Sequence, residues 1–307
     1  MLAYSPRGIP VPLPEGHRFP MKKYALLAAR LEQADWQVVD APGFPTAQLS
    51  LIHSQTYLDK WRTLSFERHE VRALGFPPSA GLYKRSLHSV GGTLAAARRA
   101  LKTGFGVNLA GGTHHAFADR GEGFCVFNDV ALAVRLLQLE GAITKAVIID
   151  LDVHQGNGTA RLFADDNDVF TFSMHGARNY PFRKETSDLD IPLPDNTDDA
   201  SYLMLLQTHL PDVLNHHRAD IAFLLGGVDV LAGDRFGRMA LSEAGVVQRD
   251  LFVASCCLST GLPLVYVMAG GYQNDLDKLI SAHAASLLAL AGVYAGRLSK
   301  RVASVRR

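Results

Sequence analysis

The sequence predicts an α/β fold built on a mostly parallel β-sheet with helices on both faces, and three observations carry that expectation. Short apolar runs rich in β-formers alternate with longer segments of helical period, the pattern of strands joined by crossover helices. The runs are continuously apolar rather than alternating, as strands covered on both faces must be. Polar residues gather where those runs end, at Asp150 to His154, Ser173 to His175, Asp229 to Asp234 and Gly270 to Tyr272. Ligands of open parallel sheets bind outside the carboxyl ends of the strands, so these clusters are expected to meet in one crevice.

In chain order, Lys22 to Ala34 has apolar residues at three- and four-residue spacing and reads as the first helix. Thr63 to Gly81, with "LGFPPSAG", reads as the longest irregular piece, and loops of that length tend to be functional or mobile. Helical spacing returns in Leu87 to Lys102, Asn128 to Glu140, Asp199 to His217, Ser242 to Ser259 and Asn274 to Ala291. Asn128 before Asp129 and Ser242 before Glu243 are helix starts, with an acid near the positive end of the dipole. Between the helices lie the strands "GVNLAGG" from Gly106, "AVIIDLD" from Ala146, "VFTFSMH" from Val169, "IAFLLGG" from Ile221 and "LPLVYVMAGG" from Leu262.

Composition bounds what such a fold does. With 307 residues, 48% hydrophobic and 20% charged, the chain has material for one large core, and a single domain over residues 1–307 is expected. A net charge of +1 leaves no electrostatic footprint for nucleic acid. The one concentrated positive stretch, Arg297 to Arg307, reads as a frayed, solvated tail. Cys125, Cys256 and Cys257 are too few for a disulfide framework or a cysteine zinc site, which points to a reducing compartment. The proline-broken start has no signal-peptide pattern, and no apolar run reads as long enough to span a membrane, so a cytoplasmic protein is expected.

The strand ends carry the chemistry. In "VIIDLDVHQGNG", Asp150, Asp152 and His154 alternate along an extended chain and share one side of it. Two carboxylates and an imidazole at a buried strand end need compensation, either from hydrogen bonds or from a divalent cation. "GGVDVLAGD" ends another strand with Asp229 and Asp234, and three ligands with an open position are what a catalytic zinc requires. In "AGGTHHAF", His114 and His115 follow a glycine pair and suit acid/base work or further metal ligation. In "MAGGYQND", Tyr272 follows Gly270 and Gly271 and is placed either for packing or to reach a polarised carbonyl.

From "GHRFPMKKY" to "MAGGYQND" the sequence resembles the histone deacetylase family of the arginase-like fold. The resemblance is densest in "GGTHHAFADRGEGFCVFNDVALA", "IIDLDVHQGNGT" and "LGGVDVLAGDRFGRMALS", and "HQGNGT" with "HRFPMKKY" is most similar to class IV deacetylases and their bacterial relatives. It implies Asp152, His154 and Asp234 as metal ligands and His114 and His115 as the catalytic pair, partnered by Asp150 and Asn157. It makes Tyr272 the carbonyl-binding tyrosine, and Gly123, Phe124, Tyr180 and Leu241 the substrate tunnel and its rim. A monovalent ion, K⁺ or Na⁺, is implied near Asp150, Asp152 and Ser173. Many relatives have Asp at the position of Asn157; an amide accepts the imidazole N–H without bringing charge, so His115 is expected to be the neutral base and His114 the charged partner.

The implied activity is a zinc-dependent amidohydrolase that removes acetyl or longer acyl groups from lysine side chains of proteins or peptides, with Fe²⁺ or Co²⁺ as other metals such ligands accept. An enzyme for small acylated amines such as acetylpolyamines is the alternative, with Glu67, Glu70 or Glu122 as candidate gate residues. A non-catalytic acyl-lysine-binding module would be expected to lack a ligand, a tandem histidine or the tyrosine, and here all of them are present.

Overall fold

Buried apolar residues on both sides of each central strand build the sheet. In the computed structural model, which describes residues 1–9, 11 and 13–305 and side chains through Gly296, Ala146 and Ile148 enter one hydrophobic cluster while Val147 and Ile149 enter another. That division is the physical basis of a continuously apolar strand.

The elements run β1 (Leu2–Ser5), α1 (Lys23–Glu32), β2 (Gln37–Asp40), a 3-10 helix (Thr46–Leu51), α2 (Gln55–Thr63), α3 (Arg68–Leu74), α4 (Ala80–Thr103) and β3 (Phe105–Asn108). There follow α5 (Asp129–Leu139), β4 (Ala146–Asp150), α6 (Asn157–Phe163), β5 (Val169–Gly176), β6 (Leu189–Leu193) and α7 (Asp199–His217). Then come β7 (Ile221–Leu225), α8 (Glu243–Thr260), β8 (Leu264–Val267) and α9 (Leu276–Val305). The sheet order is β2-β1-β3-β8-β7-β4-β5-β6, and every pairing between these strands is parallel.

The helix starts are capped as their sequence suggests: Asn128 Oδ1 accepts the Ala131 amide and Ser242 Oγ accepts the Gly245 amide, both at 3.0 Å. Such caps contribute about 1 kcal/mol each.

Four sequence expectations change. Thr63 to Gly81 is not one irregular loop: α3 forms inside it, started by reciprocal Glu67 and Glu70 capping bonds and stopped at Gly75, φ 77°. Helix α4 begins at Ala80, a full turn and more before Leu87, because Ser79 caps it through the Leu82 amide. Strands β1, β2 and β6 were not expected. Finally, Leu276–Gly296 in α9 has the length and hydropathy of a membrane span by composition alone, but half of that window is buried inside the fold. The basic tail from Arg297 to Arg307 lies outside the residues whose side chains are described.

The consequence for the site is one of order. Strands β3, β8, β7 and β4 are consecutive neighbours, so the loops after them, carrying the tandem histidines, Tyr272, Asp229 to Asp234, and Asp152 to His154, lie side by side.

Candidate active site

Asp129, the first residue of α5, builds the loop that follows β3. Its buried carboxylate accepts the Gly112 amide at 3.1 Å, the Thr113 amide at 2.7 Å and the Thr93 hydroxyl at 2.5 Å. This anchoring presents His114 and His115, both 4% exposed, with their ring centroids 4.1 Å apart.

Each histidine has its own partner. His114 Nδ1 lies 2.6 Å from Asp150 Oδ2, and His115 Nδ1 lies 2.7 Å from Asn157 Oδ1. The partners separate the two rings electrostatically. Burial lowers the pKa of His114, but the Asp150 charge and hydrogen bond outweigh it and raise the ring to about 9. Burial, reinforced by the charges of His114 and His154, holds His115 well below the ordinary value, and Asn157 offsets little of that. With its Nδ1–H donated to the Asn157 oxygen, His115 keeps the lone pair on Nε2.

Beyond β4 the chain folds its carboxylates inward. Asp150 Oδ1 accepts the Asp152 amide at 3.2 Å and Asp152 Oδ1 accepts the His154 amide at 3.0 Å. Gly270 donates its amide to Asp152 Oδ2 at 2.7 Å. A Cβ at Gly270 would fall on Asp152 Oδ2 and Asp229 Oδ2, so only glycine lets the loop after β8 come this close.

A cation fits this group. His154 Nδ1 lies 3.0 Å from Asp152 Oδ1 and 3.2 Å from Asp229 Oδ2, and the three donor atoms lie within 4.8 Å of one another. Asp229 Oδ2 is buried without a hydrogen-bond partner. Burial and then the Asp152 charge push the pKa of Asp229 up to about 7, a sign of uncompensated negative charge. Nitrogen and carboxylate donors at this spacing suit a first-row divalent metal.

The tightest group contains Asp229 where Asp234 was expected. Val153 donates its amide to Asp229 Oδ1 at 3.0 Å, which draws Asp229 under the strand end. Asp234 lies outside that group, with its oxygens accepting the amides of Phe236 at 2.9 Å, Gly237 at 3.1 Å and Tyr272 at 2.7 Å. Ser173 pairs with Asp150 across the sheet, and its hydroxyl is hydrogen-bonded to His175 Nδ1 at 3.0 Å.

Above the cluster a funnel of about 650 Å³ opens to solvent, and Gly123, Phe124, Tyr180 and Tyr272 line it with His115 and His154. Gly123, φ 53°, is packed on the imidazole: a Cβ there would stand 2.6 Å from the His115 ring. The hydroxyl of Tyr180 donates to Glu122 Oε2 at 2.9 Å. Leu241 is not at the rim. It is fully buried in the core, its amide bonded to Val230 O and its backbone bridged to Leu231, so its side chain packs inward.

Two contributors, Phe236 and Lys23, escaped the sequence, and a third, Glu122, has a different place from the one expected. Phe236 packs on Tyr272 with ring centroids 4.9 Å apart. Lys23, 1% exposed, donates to the carbonyls of Ala269 at 3.3 Å and Gly271 at 3.4 Å, under the Tyr272 ring. Burial lowers its pKa to about 8 against the pull of Asp229, Asp152 and Asp234. Glu122 does not gate the mouth: one oxygen takes Arg120 at 2.6 Å, and the other lies 3.5 Å from the Asn157 amide nitrogen, directly behind the partner of His115. Lys23 lies in the "HRFPMKKY" opening and Phe236 in "LGGVDVLAGDRFGRMALS", but neither motif singled its residue out.

Residues 17–288 match the family model described as the histone deacetylase domain. The chain is 42% identical over 287 residues to a protein of Picosynechococcus sp., covering 92% of this chain and 96% of that one. It is 31% identical over 242 residues to histone deacetylase 2 of Arabidopsis thaliana, covering 76% of this chain and only 62% of the plant protein's length. A solved HDAC homolog complexed with SAHA superposes with a TM-score of 0.80 at 22% identity, over 96% of this chain and 83% of that one. That likeness shows the fold, whose single parallel sheet with flanking helices is shared.

Proposed function

The chain belongs to the histone deacetylase family, and from that premise we propose that it hydrolyses the acyl amide of an acylated lysine side chain. The observation that carries this reading is the pair of differently partnered histidines beside the Asp152–His154 cluster at the foot of an aromatic funnel.

A divalent cation, zinc by resemblance, would be held by Asp152, His154 and Asp234, with Asp229 behind them, and when bound it supplies Lewis acidity for the carbonyl and the water. Asp229 completes the tightest donor group, while the resemblance supports Asp234 as the third ligand. Backbone amides that orient its carboxylate are the usual support of a ligand.

The protein's own residues do the rest. His115, neutral and with a free Nε2, takes the proton of the attacking water as the carbon–oxygen bond forms. Tyr272, whose phenol burial keeps protonated, donates a hydrogen bond to the developing oxyanion. His114, held charged by Asp150, stabilises the same charge. His115 then delivers its proton to the lysine nitrogen as the carbon–nitrogen bond breaks, releasing a carboxylate and a free amine.

The end of the chamber supports a short acyl group. Around His114 and His115 the inner cavity is only about 40 Å³, and the neighbouring one, which shares Phe19, Tyr24, Thr113 and Phe124 with it, is about 50 Å³; such small spaces favour an acetyl group over a fatty chain.

The test is hydrolysis of one lysine peptide carrying acetyl, octanoyl or myristoyl, by zinc-loaded and chelator-treated protein. Metal-dependent turnover falling with chain length is expected; absence of turnover on all three would sink the reading. In the same assay Asp234→Asn should abolish zinc binding and Asp229→Asn should only weaken it, as read by metal content after dialysis.

A further inference from the structure

The mouth of the funnel is positive. Arg18, Arg72, Arg178, Arg235 and Arg238 all line it, and all five are exposed. They come from four separate segments: the stretch before α1, helix α3, the loop after β5 and the loop after β7. Among the described residues, no carboxylate lines the funnel.

Internal pairing leaves most of this charge uncompensated. Arg178 and Arg238 share the single carboxylate of Asp195, at 3.4 and 3.2 Å. Among the described residues, Arg18, Arg72 and Arg235 have no ion pair. The acids considered as gates are spent elsewhere: Glu70 on Lys60 at 2.6 Å, Glu122 on Arg120 and Tyr180, and Glu67 at the start of α3. Since the whole chain carries only +1, this is a local concentration rather than a basic protein's general surface.

We propose that the substrate is an acyl-lysine flanked by acidic residues in a peptide chain, drawn in and oriented by this arginine rim. The proposal rests on the deacylase reading above and adds the substrate class. A guanidinium matches a carboxylate with two parallel N–H donors, and arginines rather than lysines occupy all five places. A mouth lined with one sign of charge focuses potential over the entrance and raises the encounter rate of the opposite charge. The same field repels a polyamine or a lysine-rich tail. The spread over four segments, with exposed Phe182 (88%) offering an apolar contact beside them, suits carboxylates distributed along a chain better than one compact anion.

The test uses zinc-supplemented full-length protein and three acetyl-lysine peptides of equal length, with acidic, uncharged or basic flanks. Binding is read by fluorescence anisotropy and turnover by kcat/KM, at low and high salt. Expected at low salt is an acidic-over-basic preference of about tenfold or more, carried by Kd and kcat/KM rather than kcat, and shrinking as salt screens the rim. Arg72→Glu combined with Arg235→Glu removes four units of charge from the rim and should erase the preference. Equal binding of the three peptides, or an order indifferent to salt and to the double variant, overturns the proposal. Binding that follows the acidic flanks without turnover of any peptide would leave the rim standing and fail the deacylase reading instead.

Discussion

The floor of the funnel and its mouth carry opposite charge under opposite conditions. Asp150, Asp152 and Asp229 are no more than 3% exposed and each meets named donors at fixed distances. The arginines of the mouth are exposed and mostly unpaired. In the buried region each partner is essential, because an unsatisfied charge there has no water to fall back on. At the mouth, solvent and salt blunt each charge, so the sum matters more than any member. Geometry therefore governs the floor, and net charge governs the mouth.

The sharpest way to break that contrast is at the floor. Tyr272→Phe removes one hydroxyl and should lower kcat by about a hundredfold or more, and His115→Ala by between about a hundredfold and ten-thousandfold. Both losses should persist at high salt, unlike any rim effect. A loss in His114→Ala equal to that of His115→Ala, with the same pH profile, would contradict the division of roles.

A second test asks whether buried polar groups behind the floor are equally exacting. His53 donates through Nδ1 to Phe117 O at 3.0 Å and accepts the Asn128 amide on Nε2 at 3.2 Å, so its folded form is neutral. Burial lowers its pKa from 6.5 to about 4. As pH falls through this window the unfolded chain takes up the proton first, so stability drops between pH 6.5 and about 4, by up to about 3 kcal/mol, and then levels off. Urea unfolding of His53→Gln should show a shallower decline across that range; a parallel decline would place the titration elsewhere.

Smaller effects are expected one step from the reacting atoms. Lys23→Met leaves the carbonyls of Ala269 and Gly271 without their shared donor and should lower kcat about tenfold with KM nearly unchanged. Glu122→Gln removes the charge behind Asn157 and should cost a few-fold in kcat. In that background Asn157→Asp should restore activity by moving the charge one residue closer. Alone, it sets two carboxylates together and should impair the enzyme. Additive losses in the double variant would mean that Glu122 serves only to hold Tyr180.

The same contrast explains what the sequence revealed. The five strands expected from it include all four beneath the site, because burial on both faces leaves an unbroken apolar run such as "AVIID". Strand β6, "LDIPL", is an edge with Pro192 and alternating exposure, and β1 and β2 are only partly buried, unlike the equally short β3 and β8. The charged helix α3 shows itself only through its capping acids. Asp152, His154 and the tandem histidines were legible because each motif is continuous in the chain. Lys23 meets Ala269 across 246 residues, and the arginines of the mouth converge from four segments; no local pattern signals either.

The strand order has one further consequence. The four strands that present the site occupy the centre of the sheet, with β2 and β1 beyond them on one side and β5 and β6 on the other. Edge strands open first, and their local fluctuations are shed before reaching the middle. Amide protons of β4, β7 and β8 should therefore exchange only when the whole molecule opens. Heat should then abolish catalysis and fold in one transition, with no inactive native-like species preceding it.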